Sequence, residues 1–273
     1  MNDLYDLLEE YRIDDEKMAI AYEAISPACK ALIKTAIALS DFQYGHSSLY
    51  EDRFCSNPEL GFWKKSCSSP VKHCFLLVEA DYPAMARLCA AAVLPKLAGV
   101  KNIYAIIPDN PPSYAILATL ELCGMENIFI VPENKIFALL ASPLQDTRIM
   151  GLHGQTIFKL IRPLADMGFI FFYEYAKPRI AVLNPEEFST REFIFALGLS
   201  PSEVPYKPGE SYDAVYLDNR ERFTDLPDNA QMALTPGCEC FWQFPALNPA
   251  FFQRNRHLFG FYKGEDNNAF HTG

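Results

Sequence analysis

The stretch Gly151-Leu-His-Gly-Gln-Thr-Ile-Phe-Lys-Leu-Ile-Arg162 places two glycines and a histidine between a short apolar run and a helical one. Backbone N–H groups at a helix start carry partial positive charge, so a glycine-rich entry there suits a phosphate, a dinucleotide or another small anion. His153 adds a group able to touch a ligand or to act as an acid or base. The competing reading of Gly151 and Gly154 is a tight turn that needs glycine for its dihedrals. A lone Gly-x-x-Gly does not separate the two.

Polar residues recur at three similar junctions: Glu79 and Asp81 ahead of Tyr82, Asp109 with Asn110, and Glu133 with Asn134 and Lys135. Carboxylates at strand ends can hold ribose hydroxyls or act as general bases, and Lys135 could neutralise a phosphate. The same residues suit helix capping. The repetition favours capping for the two later pairs, and position favours it for Asp81. Glu79, at the end of a buried run, is the residue capping explains least.

Two late cysteines, Cys238 and Cys240, follow a Pro-Gly turn, where a thiol could be exposed as a nucleophile, although no activating base is evident nearby in sequence. His46, Cys55, Cys67, His73 and Cys74 form a loose group whose spacings match no zinc knuckle, so zinc is not expected.

Regular elements must hold these groups. Apolar runs at 73–80, 102–108, 127–132 and 147–150 read as strands, and helical patterns at 82–97, 112–122 and 134–141 separate them. LAGVKNIYAIIPDN (97–110) is echoed by LCGMENIFIVPEN (122–134), as two neighbouring βα units would be. The alternation predicts a three-layer α/β fold on a mainly parallel, Rossmann-like sheet. Ligands of such sheets bind outside the carboxyl ends of the strands, where the polar junctions and Gly151–Gly154 fall. Residues 1–72 are expected to form an N-terminal helical arm and a long loop over 41–72. Residues 73–166 form the core, and 167–273 an α/β extension that either stands apart or completes the same domain. Its aromatic-rich last 40 residues are expected to fold back over a core, with a frayed extreme tail.

Composition limits the partners. Half of the 273 residues are apolar and the formal net charge is −10, which argues against nucleic acid or an anionic membrane surface. The N-terminus is acidic and the longest apolar runs fall far short of a membrane span. A cytoplasmic protein with a small-molecule or nucleotide ligand is expected, with a homodimer possible.

Residues 81–162 resemble the first nucleotide-binding-type domain of histidinol dehydrogenase, within the wider aldehyde-dehydrogenase-like fold group. Pro95 to Ile103 is similar to that family's segment ending Ala-Gly-Val-Lys-x-Ile, and residues 116–131 to its next helix–Gly–strand unit. Asp146 to Phe158 falls where the family has Asp-Lys-Ile-x-Gly-Pro-Gly-Asn. The resemblance covers under a third of the chain. It implies a shared fold and an NAD or NADP pocket, with Gly154 in the slot of a cofactor-contacting Asn and Lys135 near that of a contacting Gln. The family's Gln-Ala-Glu-His zinc segment and Glu-His-Leu catalytic segment have no counterpart, and this chain is shorter than the family's usual length. These departures imply a divergent relative without histidinol dehydrogenase activity. Two other readings remain: an NAD(P)-linked aldehyde or alcohol oxidoreductase using Cys238 or Cys240, and a non-catalytic interaction subunit with an aromatic contact surface.

Overall fold

The computed structural model describes residues 7–45, 51–57, 59–140, 146–218 and 230–261. The N-terminal arm is helical as expected but divided. After a single 3-10 turn at Glu9–Tyr11 come α1 (Asp15–Ala24) and α2 (Pro27–Tyr44). The arm divides because Ser26 is extended, caps α2 through Cys29 N, and is followed by Pro27 at the first helical turn.

The loop expected over 41–72 is instead largely an antiparallel hairpin, β1 (Glu51–Asn57) and β2 (Phe62–Pro70), with β2 also pairing with a late strand. Most of its residues are exposed or half-buried, so no apolar alternation marked it as sheet.

Next comes the parallel sheet, in the sequence β3 (His73–Leu77), α3 (Met85–Leu97), β4 (Asn102–Pro108), α4 (Tyr114–Leu122), β5 (Ile128–Val131), α5 (Glu133–Leu140), β6 (Thr147–Gly151), α6 (Gln155–Asp166) and β7 (Ile170–Tyr173). Its spatial order is β5-β4-β3-β6-β7, with every pair parallel. The chain steps one way from β3 and then returns to add β6 and β7 on the other side. The crevice between β3 and β6 is therefore the topological switch point.

Both faces of the sheet are covered, and the strand period assigns alternate residues to opposite sides. Leu76, Val78, Ala105 and Ile107 pack in a core with α3 and α4. Phe75, Leu77, Tyr104 and Ile106 pack with Ile136 and Leu140 of α5 and Ile157, Leu160, Ile161 and Leu164 of α6.

β7, beyond residue 166, pairs with β6 and so belongs to the same sheet. Beyond it β8 (Ile180–Val182), α7 (Thr190–Leu197), β9 (Tyr212–Tyr216) and β10 (Ala230–Leu234) build a second, three-stranded parallel sheet of order β10-β9-β8. Its Val182, Tyr216 and Leu234 lie in the same continuous core as α1, α2, α3 and α4. The late aromatics divide: Trp242, Phe244 and Phe252 are buried in that core, whereas Phe259 and Phe261 are exposed on β11 (Gln253–Phe261). β11 pairs with β2 to give a third sheet of order β1-β2-β11. The tail from 262 onward, expected to fray, lies outside the described residues.

Candidate functional site

The switch-point crevice is closed from within. Glu79 leaves the carboxyl end of β3, and its Oε1 accepts a hydrogen bond from Thr156 N in the first turn of α6 at 2.7 Å. A carboxylate there satisfies one of the free N–H groups of a helix start and complements its positive end. Gly154 makes this approach possible. Its φ of 176° is extended backbone, but a Cβ would lie 2.3 Å from the Glu79 carboxyl carbon. Gly151 is needed for the same reason, since a Cβ there would lie 2.2 Å from Ile161 Cδ1 and 2.7 Å from Ile157 Cγ2. Both glycines answer to space, not to the turn dihedrals that the simpler reading invoked.

A second carboxylate, Glu174, fixes the other side of the loop. It follows β7 and is buried, with Oε1 3.0 Å from Arg87 Nε of α3. Its Oε2 accepts from Tyr82 OH at 2.8 Å and from His153 N at 3.0 Å, and Arg87 Nε also donates to Tyr82 OH at 2.9 Å. Burial is the main force raising the Tyr82 phenol well above its ordinary pKa, so it stays a hydrogen-bond donor at every ordinary pH. His153 Nδ1 lies 3.3 Å from the Glu174 carbonyl oxygen. That oxygen can only accept, so the contact places a proton on Nδ1. Tyr173 completes the frame: its hydroxyl donates to Gly154 O at 2.8 Å and lies 3.3 Å from Gly154 N.

The remaining expected residues separate into two groups. Asp81 is exposed and does not cap a helix, because α3 begins only at Met85, after Ala84, with no side-chain cap. Asp109, at a left-handed φ of 53°, accepts from Glu133 N at 2.9 Å and so caps α5 of the neighbouring unit. The helix after Asp109 is capped by Ser113 instead. Asp81, Asp109, Asn110, Glu79 and Thr156 line one groove of about 420 Å³ at the carboxyl edge. Glu133, Asn134 and Lys135 do not line that groove. Asn134 is inside α5, and Lys135 is engaged by the N-terminal arm. It donates to Tyr11 OH and lies 3.7 Å from Glu10 Oε1, contacts that raise its pKa, that to Tyr11 most.

A pyrophosphate at the start of α6 would need the N–H groups that Tyr173 and Glu79 already contact, and space that the Glu79 side chain fills. The residues present do not fit a dinucleotide held in that manner. On the far side of the same helical turn lies a second pocket of about 430 Å³, lined by His153, Gly154, Gln155, Phe158, Lys159, Tyr173 and Tyr175.

The late cysteines follow the Pro-Gly turn after β10. Cys240 is buried, and desolvation drives its thiol far up; Cys238 is half-buried, and burial again raises it. A nucleophilic thiol needs the opposite shift. Burial also raises the carboxyl of Glu239 between them. Among the described residues no group of three or more His, Cys, Asp or Glu side chains could hold a metal ion.

Glu174, Arg87, Thr156 and Tyr173 were not singled out from sequence. A signal existed for two of them: Glu174 is a lone acid ending the apolar run GFIFFYEYA, and Arg87 a lone cation in the helix MARLCAAAVL. A single charge in an otherwise buried segment calls for a partner.

The fold is shared with a solved histidinol dehydrogenase. Histidinol dehydrogenase from Elizabethkingia anophelis superposes with a TM-score of 0.60 at 12% identity, covering 95% of this chain and 79% of that one. An NAD-dependent benzaldehyde dehydrogenase from Corynebacterium glutamicum follows at a TM-score of 0.45 and 9% identity, covering 98% and 90%. A putative aldehyde dehydrogenase from Bacillus subtilis gives 0.39 and 12%, covering 81% and 56%. No family model matches the sequence, and no curated protein does. The class defined is a histidinol-dehydrogenase-like α/β fold, and at this identity the likeness concerns architecture alone. No helix among the described residues is long and apolar enough to cross a membrane.

Two substitutions test the buried carboxyl groups. Glu174→Gln leaves the Arg87 guanidinium buried without its counter-charge, and a loss of about 3–5 kcal/mol in urea denaturation is expected. Glu239→Gln tests the raised carboxyl. Because its folded pKa lies above the unfolded value, stability falls as pH rises from the ordinary carboxylate range through that raised value. The variant should therefore melt higher than the parent at pH 7, with the difference vanishing below about pH 4.

Proposed function

We propose that this protein binds a nucleotide-like ligand at the carboxyl edge of its parallel sheet and does not carry out the histidinol dehydrogenase reaction. The observation that carries the reading is the groove at the carboxyl edge bounded by Asp81, Asp109, Asn110 and Thr156. Its lining offers carboxylate and amide acceptors and no cation, which suits sugar hydroxyls better than phosphate. The ligand's sugar sits in this groove, and any phosphate points away from α6, whose first turn is capped by Glu79. The loss of the dehydrogenase reaction rests on the missing zinc and Glu-His-Leu segments.

Thermal shift with adenosine, ATP, NAD, NADP and coenzyme A tests this. A ligand at a hundred times its Kd stabilises by about 2.7 kcal/mol, so adenosine should raise the melting temperature by several degrees. Asp81→Asn, at an exposed position, should reduce that gain. The absence of a shift with any of the five contradicts the reading.

The exposed third sheet favours a second reading, self-association. Phe54, Phe62, Leu258, Phe259 and Phe261 all lie exposed on β1, β2 and β11, and β1 and β11 are open edges. By register Phe62, Phe259 and Phe261 share one face of the sheet and Phe54 and Leu258 the other; exposed rings on an open sheet mark an interaction surface, and a second copy would cover the face that carries Phe259. Sedimentation of the protein should show a dimer that Phe259→Lys with Leu258→Lys converts to monomer. A parent chain that is monomeric at high micromolar concentration rules this out.

A further inference from the structure

The pocket on the far side of the first turn of α6 differs from the groove in both its walls and its charge. Its wall is three rings. Tyr173 and Tyr175 meet edge to face with centroids 4.9 Å apart, and Phe158 lies 5.5 Å from Tyr173 and 6.3 Å from Tyr175. Tyr173 is held in place by its hydrogen bond to Gly154 O. Tyr175 is 67% exposed and Phe158 38% exposed, although both are large aromatics. Rings left open to water in a concave site provide stacking area for a flat partner.

The rim is polar and free of acids. His153, Gln155 and Lys159 border the pocket, and no Asp or Glu lines it. Lys159 is exposed and makes no ion pair among the described residues, one turn along α6 from Gln155. In a chain of formal net charge −10, a pocket without acids and with an uncommitted ammonium is complementary to an anion. The groove across the same turn, lined by Glu79, Asp81 and Asp109, has the opposite character.

We propose that this pocket binds a planar aromatic carboxylate, its ring packed on Phe158, Tyr173 and Tyr175 and its carboxylate paired with Lys159. Stacking sets the requirement for a flat ring, and the ammonium sets the requirement for charge. The site does not depend on the nucleotide-like ligand of the groove, because the two share no lining residue.

Isothermal titration calorimetry with 2-naphthoate, its neutral analogue 2-naphthalenemethanol and the non-aromatic cyclohexanecarboxylate tests the assignment. The naphthoate should bind, with both analogues about tenfold or more weaker, the gap expected when one stacking or one charge-assisted contact is lost. Tyr175→Ala should weaken naphthoate about tenfold. Lys159→Gln should weaken naphthoate but leave the neutral alcohol unchanged, which separates loss of the charge from loss of the fold. Asp81→Asn, across the turn, should leave naphthoate binding as in the parent, so failure here and failure of the groove reading are distinguishable. Both pocket substitutions fall on exposed side chains, and unchanged melting temperatures confirm that they fold. No naphthoate binding by the parent, or equal binding by parent, Tyr175→Ala and Lys159→Gln, overturns the proposal.

Discussion

The buried ion pair between Arg87 and Glu174 sets the geometry of the site. Removing two charges from water is expensive, and it is tolerable only when each is matched by its partner and by further hydrogen bonds. Glu174 meets that condition by taking Arg87 on one oxygen and Tyr82 and the His153 amide on the other. The consequence is positional. A helix on one face of the sheet, the residue after β7 and the loop leaving β6 are tied to one carboxylate, so the entry to α6 cannot shift without exposing or orphaning a charge.

With that loop pinned, Glu79 can reach the start of α6, and the ligand edge becomes asymmetric. A parallel sheet of this order offers a helix N-terminus at its switch point to whatever anion approaches. Here an internal carboxylate already takes one of its N–H groups, and Gly154 leaves the space for it. What is left open lies on either side of the turn: an acceptor-lined groove toward β4, and an aromatic, acid-free pocket toward the end of β7. The architecture is dehydrogenase-like, and at this turn the place of an incoming anion is taken by the chain's own Glu79 carboxylate.

The parallel sheet was legible in the sequence because its strands are buried on both faces and its helices end at glycines such as Gly99 and Gly124, both at positive φ. The hairpin of β1 and β2 was not, since a sheet exposed on both sides has no alternation to read. The edge itself was legible: Glu79, Asp81, Asp109, Asn110 and Gly154 all gather at the carboxyl end of the sheet. The partners were not. Asp109 caps a helix 24 residues away, and Lys135 pairs with an arm more than 120 residues earlier. Local spacing predicts which groups seek a partner, but a partner chosen by tertiary packing lies beyond its reach. The roles of Gly151 and Gly154 were hidden for the same reason, because the side chains that demand their smallness come from β3, β7 and α6.

The most direct test is to follow the Thr156 amide resonance by NMR while adding inorganic pyrophosphate to the parent protein and to Glu79→Ala. With the N-terminus of α6 closed by Glu79, the resonance should stay fixed in the parent and move on titration in the variant. A pyrophosphate-dependent shift of Thr156 in the parent, equal to that in Glu79→Ala, would contradict the account.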